Sequence, residues 1–177
     1  TVNYLYRIPS WAVSVAAEVE GQCEIGVVVA PALGEAYVGI RDGGAWSIEG
    51  DEARPIVARE CPSLANALIS TGFGYSASRR AEQAGVLLGL APLVRDVRRV
   101  GAAVVDLCWL ASGRIDGHYE LGLNRWDIAA GGLIAAEAGA MVGGLRSANP
   151  YEGTFVAAVP GIDVELRAAL GAAGAEI

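Results

Sequence analysis

Hydrophobic and polar positions change rhythm about a third of the way along the chain. Up to residue 60 the apolar residues fall in short runs, at 11–18, 22–30, 35–41 and 44–48. Turn signals separate them: Glu20-Gly21, the Pro31 to Gly34 segment, and Asp42-Gly43. Asp-Gly and Pro/Gly pairs supply the backbone conformations that hairpin turns require. The pattern predicts a β-meander forming one antiparallel sheet. Residues 49–60 are polar, contain Pro55 and read as a connection, with Cys61-Pro62 as its boundary.

Beyond Pro62, strand-like and helix-like stretches alternate. Residues 67–71 read as a strand, followed by the turn-rich 72–76. Residues 78–90 have helical spacing, with Ala81, Ala84, Leu87 and Leu88 on one face. A short strand at 96–100 leads to Gly101, which opens a strongly apolar helix running to Gly113. A strand at 116–121 and a second apolar helix at 126–139 follow, the latter closed by Gly139 at its C′ position. A last strand is expected at 155–159 and a last helix at 162–173, with the terminal Ala/Gly run fraying. Alternation of this kind predicts an α/β layer whose sheet is covered by helices. The expected division is residues 1–60, an antiparallel sheet, and residues 61–177, an α/β half.

Composition narrows the function classes. With 177 residues, 53% hydrophobic and 19% charged, the chain has the makings of a packed core and not of a disordered segment. Its length allows one domain or two tightly packed halves. All 13 basic residues are Arg, and the net charge is −7. That balance argues against non-specific nucleic-acid binding, which rests on phosphate neutralisation. Apolar stretches such as 25–33 fall far below the ~20 residues that span a bilayer. The three cysteines, Cys23, Cys61 and Cys108, are odd in number and lack a CxxC pair, so they read as buried thiols. A cytoplasmic protein is the expectation. Residue 1 already lies in sequence that reads as structured, so a fragment of something longer is expected.

Few residues suggest chemistry. The single histidine, His118, cannot make a His-rich metal site and reads as structural. Cys108, inside an apolar helix with no histidine nearby, reads as core. The Gly72/Gly74 pair after a strand is a weak echo of a phosphate-binding turn. Asp127 stands out, because it begins a helix that is otherwise Ile, Ala, Gly and Leu up to residue 136. One reading is an N-cap; the other is a carboxylate offered to a hard cation at the end of an apolar helix. Glu120, at the end of the preceding strand, faces the same pocket if the second reading holds. Two acids alone are too few for a metal site.

Larger blocks add to this. Residues 124–139, NRWDIAAGGLIAAEAG, closely resemble the C-terminal signature of the inositol monophosphatase family, W-D-x-A-(A/G)-x-x-(L/I)-(L/I)-x-E-A-G. Residues 98–120, RRVGAAVVDLCWLASGRIDGHYE, are similar to the same family's R-x-G-(S/T)-A-A…D-x-Y-x-E run. Residues 1–9, TVNYLYRIP, resemble the tail of its other signature, D-P-(I/L)-D-G-T-(T/V)-N-F-x-x-x-x-P. The resemblance extends over essentially the whole chain. It implies an alternating α/β/α/β/α sandwich of the inositol-monophosphatase kind, with the N-terminal part of that pattern missing. It also implies Mg²⁺-dependent hydrolysis of a phosphate monoester by an activated water, as in a homodimeric, lithium-sensitive enzyme.

Individual positions carry over. Thr1 matches the Thr that orients and helps deprotonate the nucleophilic water. Asp127 matches a metal-ligating Asp that also touches the substrate near the ester oxygen. Glu120 matches the Glu that binds ring hydroxyls of the substrate. Ala103 matches a residue whose backbone N–H meets a substrate hydroxyl at a helix start, with Gly101 and Ala102 completing the turn. Ala102 stands where the family often has Ser or Thr, so a side-chain hydroxyl is lost there. The family pattern places D-P-(I/L)-D-G before Thr1 and a G-E-E block further upstream, both carrying metal ligands. Inositol 1-phosphate is the first expected substrate; histidinol phosphate, fructose 1,6-bisphosphate or nucleotide 3′-phosphates are hydrolysed by relatives. The competing expectation is a catalytically inactive interaction module.

Overall fold

The computed structural model describes residues 1–175. Five strands, β1 (Val13–Val19), β2 (Gln22–Ala30), β3 (Glu35–Ile40), β4 (Gly44–Glu49) and β5 (Glu52–Pro55), form an antiparallel meander in sequence order. The expected strands are there, and the segment expected to be a plain connection contributes β5 as well. Pro55 is tolerated in it because β5 is the edge of the sheet. A short helix, α1 (Val2–Leu5), precedes the meander, where no element was expected.

The second sheet is mixed, in the order β7-β6-β8-β10-β9. Its strands are β6 (Leu68–Thr71), β7 (Asp96–Arg98), β8 (Gly117–Leu121), β9 (Met141–Gly144) and β10 (Thr154–Ala158). The edge strand β9 escaped the sequence reading because it is only Met-Val-Gly-Gly, with no alternation to mark it. The long helices are α2 (Ala77–Leu90), α3 (Ala103–Ala111), α4 (Arg125–Glu137) and α5 (Pro160–Ala172). Gly139 follows α4 in left-handed conformation (φ +97°), as its C′ place requires. The expected fraying reaches into residues 176–177, which lie outside the described residues.

Layers stack in the order first sheet, α3 with α4, second sheet, α2 with α5. The Gly- and Ala-rich composition follows from this stacking. A Cβ on Gly26 would lie 2.7 Å from Ala130 O, and one on Gly39 2.9 Å from Ile134 Cα. Two strands therefore bring bare backbone against α4, which lies flat on the sheet. Gly131 of α4 likewise admits Val104 and Leu107 of α3, which would lie 3.0 and 3.1 Å from a Cβ there. Gly39→Val has no room and is expected to cost about 3 kcal/mol or more, read as a lowered Tm.

Three ties hold the layers in register. Glu137 accepts the N–H groups of Asp42 (2.9 Å) and Gly44 (3.0 Å), clamping the β3–β4 turn to the end of α4. Asp116, fully buried, accepts Leu68 N–H at 2.7 Å and pairs with Arg59. Glu35 accepts Tyr37 O–H and Trp109 Nε1–H, both at 2.9 Å, and pairs with Arg114. Glu137 and Asp116, two acids of the quoted sequence blocks, thus act in the scaffold and not at a site.

The face of the first sheet turned away from α4 is apolar and open. Register puts Val13, Val15, Ile25, Val27, Val29, Val38, Ile40, Trp46 and Ile48 on it together. Val15 is 60% exposed and Val13 56%. An antiparallel sheet with one wetted face normally alternates apolar and polar; this one is apolar on both.

Candidate active site

The three quoted blocks meet at one end of the middle helical layer. Gly101 adopts φ +89° and turns the chain into α3, which starts at Ala103, two residues later than the sequence suggested. Ala102 occupies the N-cap and, lacking an oxygen, leaves the first-turn N–H groups without a side-chain cap. Asn3 fixes the N-terminal block beside this turn. Its buried amide donates to Ser10 O (2.6 Å) and to Val100 O (3.0 Å). Thr1, two residues away, is exposed at the N-cap of α1 and makes no side-chain cap hydrogen bond. Thr1, Gly101, Ala102 and Ala103 are in this way carried to the same corner.

Asp127 is not the N-cap of α4, as one sequence reading had it. That position belongs to Asn124, and Asp127 is the third helical residue. Its Oδ2 accepts from Asn124 N (2.8 Å) and Nδ2 (3.3 Å), so the carboxylate closes a capping arrangement from inside the helix. Its Oδ1 makes no hydrogen bond with the described residues. Arg125, beside it, anchors the helix start to the first sheet through Glu18 (2.8 Å) and Gly21 O (2.8 Å).

Glu120 comes from β8 and lies folded over Gly72, at the end of β6. A Cβ on Gly72 would fall 2.0 Å from Glu120 Oε2, so only glycine admits the carboxylate there. The Gly72 singled out in the sequence is therefore a seat for a side chain and not a phosphate turn. Burial pushes the Glu120 carboxyl up to about 7; Arg99 opposes this and Asp127 adds to it. Glu120 thus feels the charges of both Arg99 and Asp127.

Beneath them is a polar cluster that sequence reasoning did not assemble. Ser70 and His118 are register partners on β6 and β8, and Ser70 Oγ lies 2.8 Å from His118 Nδ1. The Asp106 carboxyl of α3 lies beside the Ser70 side chain, which favours its charged form, and its buried Oδ1 has no hydrogen-bond partner among the described residues. His118 is fully buried, and burial drives its imidazole down to about 3, so it is neutral. Burial likewise raises Asp106 to about 8, with Ser70 and Arg99 opposing and Glu120 adding. The one available signal was a lone Asp inside a helix otherwise made of Ala, Val, Leu, Cys and Trp.

This cluster has a measurable consequence. Asp106 keeps its proton in the folded chain up to about pH 8 but loses it near pH 4 when unfolded. Between these values the folded chain binds more protons, so stability falls as pH rises. Tm is expected to drop between about pH 5 and about pH 8, and Asp106→Asn to flatten the drop in melting curves.

The described residues do not by themselves fit a Mg²⁺ centre. Among them, no three His, Cys, Asp or Glu side chains converge to hold a metal ion. Asp127 Oδ1 is one oxygen, where Mg²⁺ takes about six from protein, water and phosphate. Cys23, Cys61 and Cys108 are free and buried, as expected. No described helix is long and apolar enough to cross a membrane.

Two sheets interleaved with helices, with a corner where a capped Asp, a buried Glu and an open helix N-terminus meet, define a layered α/β protein with its site at helix N-termini. The sequence profile of the inositol monophosphatase family matches residues 1–171, and the chain belongs to that family. It is 44% identical over 172 residues to an inositol-1-monophosphatase of Mycobacterium leprae, covering 96% of this chain and 59% of that protein. It is 37% identical over 169 residues to a protein of Pasteurella multocida named Nus factor SuhB, covering 94% of this chain and 62% of that one. The solved structure of Mycobacterium tuberculosis SuhB superposes with a TM-score of 0.90 at 43% identity, covering 98% of this chain and 69% of that one. The chain therefore spans somewhat over half the length of the curated relatives it matches.

Proposed function

We propose that this chain carries the substrate-binding part of a phosphate monoester hydrolase that acts on inositol 1-phosphate or a similar polyol phosphate. The observation that carries the reading is the seating of Glu120 over Gly72, where it feels the charge of Asp127, together with the uncapped start of α3. In this reading the N–H groups at Ala103 and the Gly101-Ala102 turn meet a substrate hydroxyl, as free donors at a helix start do for oxygen ligands. Glu120, seated over Gly72, accepts from hydroxyls of the polyol. Asp127 presents Oδ1 near the ester oxygen and is the one ligand that the described residues offer to the Mg²⁺ that the family resemblance implies. Thr1 holds the attacking water. Further carboxylates, placed by the family pattern before Thr1, complete the charge of the site.

Phosphate release in the presence of Mg²⁺ tests this. Inositol 1-phosphate, histidinol phosphate and fructose 1,6-bisphosphate are given to the 177-residue chain and to the chain preceded by the family's upstream blocks. Release from the polyol phosphate by the extended chain is expected, with little from the shorter one. Turnover of fructose 1,6-bisphosphate about tenfold faster than inositol 1-phosphate overturns the substrate assignment.

A second reading, a protein-interaction module, is favoured by the relatives named Nus factor and by the open apolar sheet face. The same face suits a homodimer or a covering helical layer. Light scattering after gel filtration is expected to find the 177-residue chain self-associated, and Val15→Glu to disperse it to monomers. A wild-type chain that elutes as a monomer removes this use of the face.

A further inference from the structure

His118 is neutral, buried and half satisfied. Its Nδ1 is engaged by Ser70, while Nε2 has no hydrogen-bond partner among the described residues. Nε2 aims at Glu120, with Oε2 at 3.8 Å. A closure of roughly 1 Å brings that pair to hydrogen-bond distance. Glu120 lies on the same face of β8, two residues on, and is held from below by Gly72.

The direction of each hydrogen bond follows from donor counting. Ser70 has one O–H. His118 Nε2 faces the Glu120 carboxylate, which favours a proton on that nitrogen and leaves Nδ1 to accept the Ser70 O–H at 2.8 Å. Nδ1 is then an acceptor, and the imidazole proton sits on Nε2, facing Glu120.

We propose that His118 is a positioning residue for substrate binding: its Nε2–H, with Nδ1 engaged by Ser70, is the donor onto which Glu120 Oε2 closes. Glu120 Oε1 is left as a free carboxylate acceptor. The group it takes is a donor, a polyol hydroxyl or an amine of the substrate, and a second phosphate is rejected by charge. This inference rests on the reading of Glu120 as a substrate-binding residue. The arrangement also explains why a buried histidine lies behind the site without metal-binding partners.

His118 is the one histidine of the 177 residues, so the imidazole ¹⁵N spectrum contains a single ring. The protein is expected to show the neutral Nε2–H tautomer near pH 7, and Glu120→Gln to shift the Nε2 resonance. An Nδ1–H tautomer, or an Nε2 resonance unmoved by that substitution, overturns the proposal whether or not the protein is active. In kinetics, His118→Phe keeps a ring against Phe155 but removes the donor. It is expected to raise KM for the polyol phosphate about tenfold with kcat changed less than about twofold. His118→Gln, which restores an N–H near the Nε2 position, is expected to recover most of that loss. Equal falls in kcat for both variants, with KM unchanged, overturn the positioning role. Absence of phosphate release by the wild-type chain carrying the upstream blocks defeats the hydrolase reading and leaves the spectroscopic test to decide this one.

Discussion

Asp127→Asn is expected to lower phosphate release at least about a hundredfold while leaving the fold nearly as stable as before. The two effects separate because the two oxygens do different things. Oδ2 accepts from Asn124 N and Nδ2 and holds the first turn of α4; an Asn side-chain oxygen can replace it. Oδ1 makes no hydrogen bond with the described residues, and its negative charge is what the amide removes. Asp127→Ala takes away the capping acceptor as well and is expected to cost about 1 kcal/mol of stability. Steady-state kinetics and melting of both variants, made in the active protein, check this. If Asp127→Asn retains more than about a tenth of the activity, the carboxylate charge has no part in the reaction.

Gly72→Ala should damage substrate binding without removing any group that meets the substrate. The new methyl would occupy the place of the Glu120 carboxylate, since the built Cβ lies within 2.3 Å of both its oxygens and 2.1 Å of Cδ. Glu120 must swing out, losing its approach to His118 and its place opposite Arg99. KM for a polyol phosphate is expected to rise about thirtyfold or more, the loss of roughly 2 kcal/mol for a displaced charged acceptor. The alanine adds no strain of its own, because Gly72 is not among the glycines with positive φ. An unchanged KM together with an unchanged Tm would mean that Glu120 does not lie over Gly72 in solution.

Most of the secondary structure was legible because its periodicity is strong. The β1–β4 meander with its Asp-Gly turn, the helices carried by α2 to α5, and the strands β6, β8 and β10 all show the expected rhythm. What escaped lacked a strand or helix pattern: β5 is Glu-Ala-Arg-Pro, β9 is Met-Val-Gly-Gly, and α1 is a single turn of four residues. The role of Asp127 at the helix start was blurred for a different reason. A carboxylate in the first turn can cap from the N-cap or from three residues inside, and the sequence NRWD permits both.

By itself the sequence determined which residues are small enough to pack backbone to backbone, which runs must be strand or helix, and which family the signature blocks resemble. These depend on local period and residue type, both readable along the chain. Only the tertiary structure decided that Glu137 and Asp116 are scaffold acids, and that Gly72 is the floor beneath Glu120. It alone brought Ser70, Asp106 and His118, separated by up to 48 residues, into one buried cluster. The physical reason is burial. Whether a carboxyl keeps its proton, or an imidazole stays neutral, depends on which layers close over it, and sequence neighbours do not close over one another.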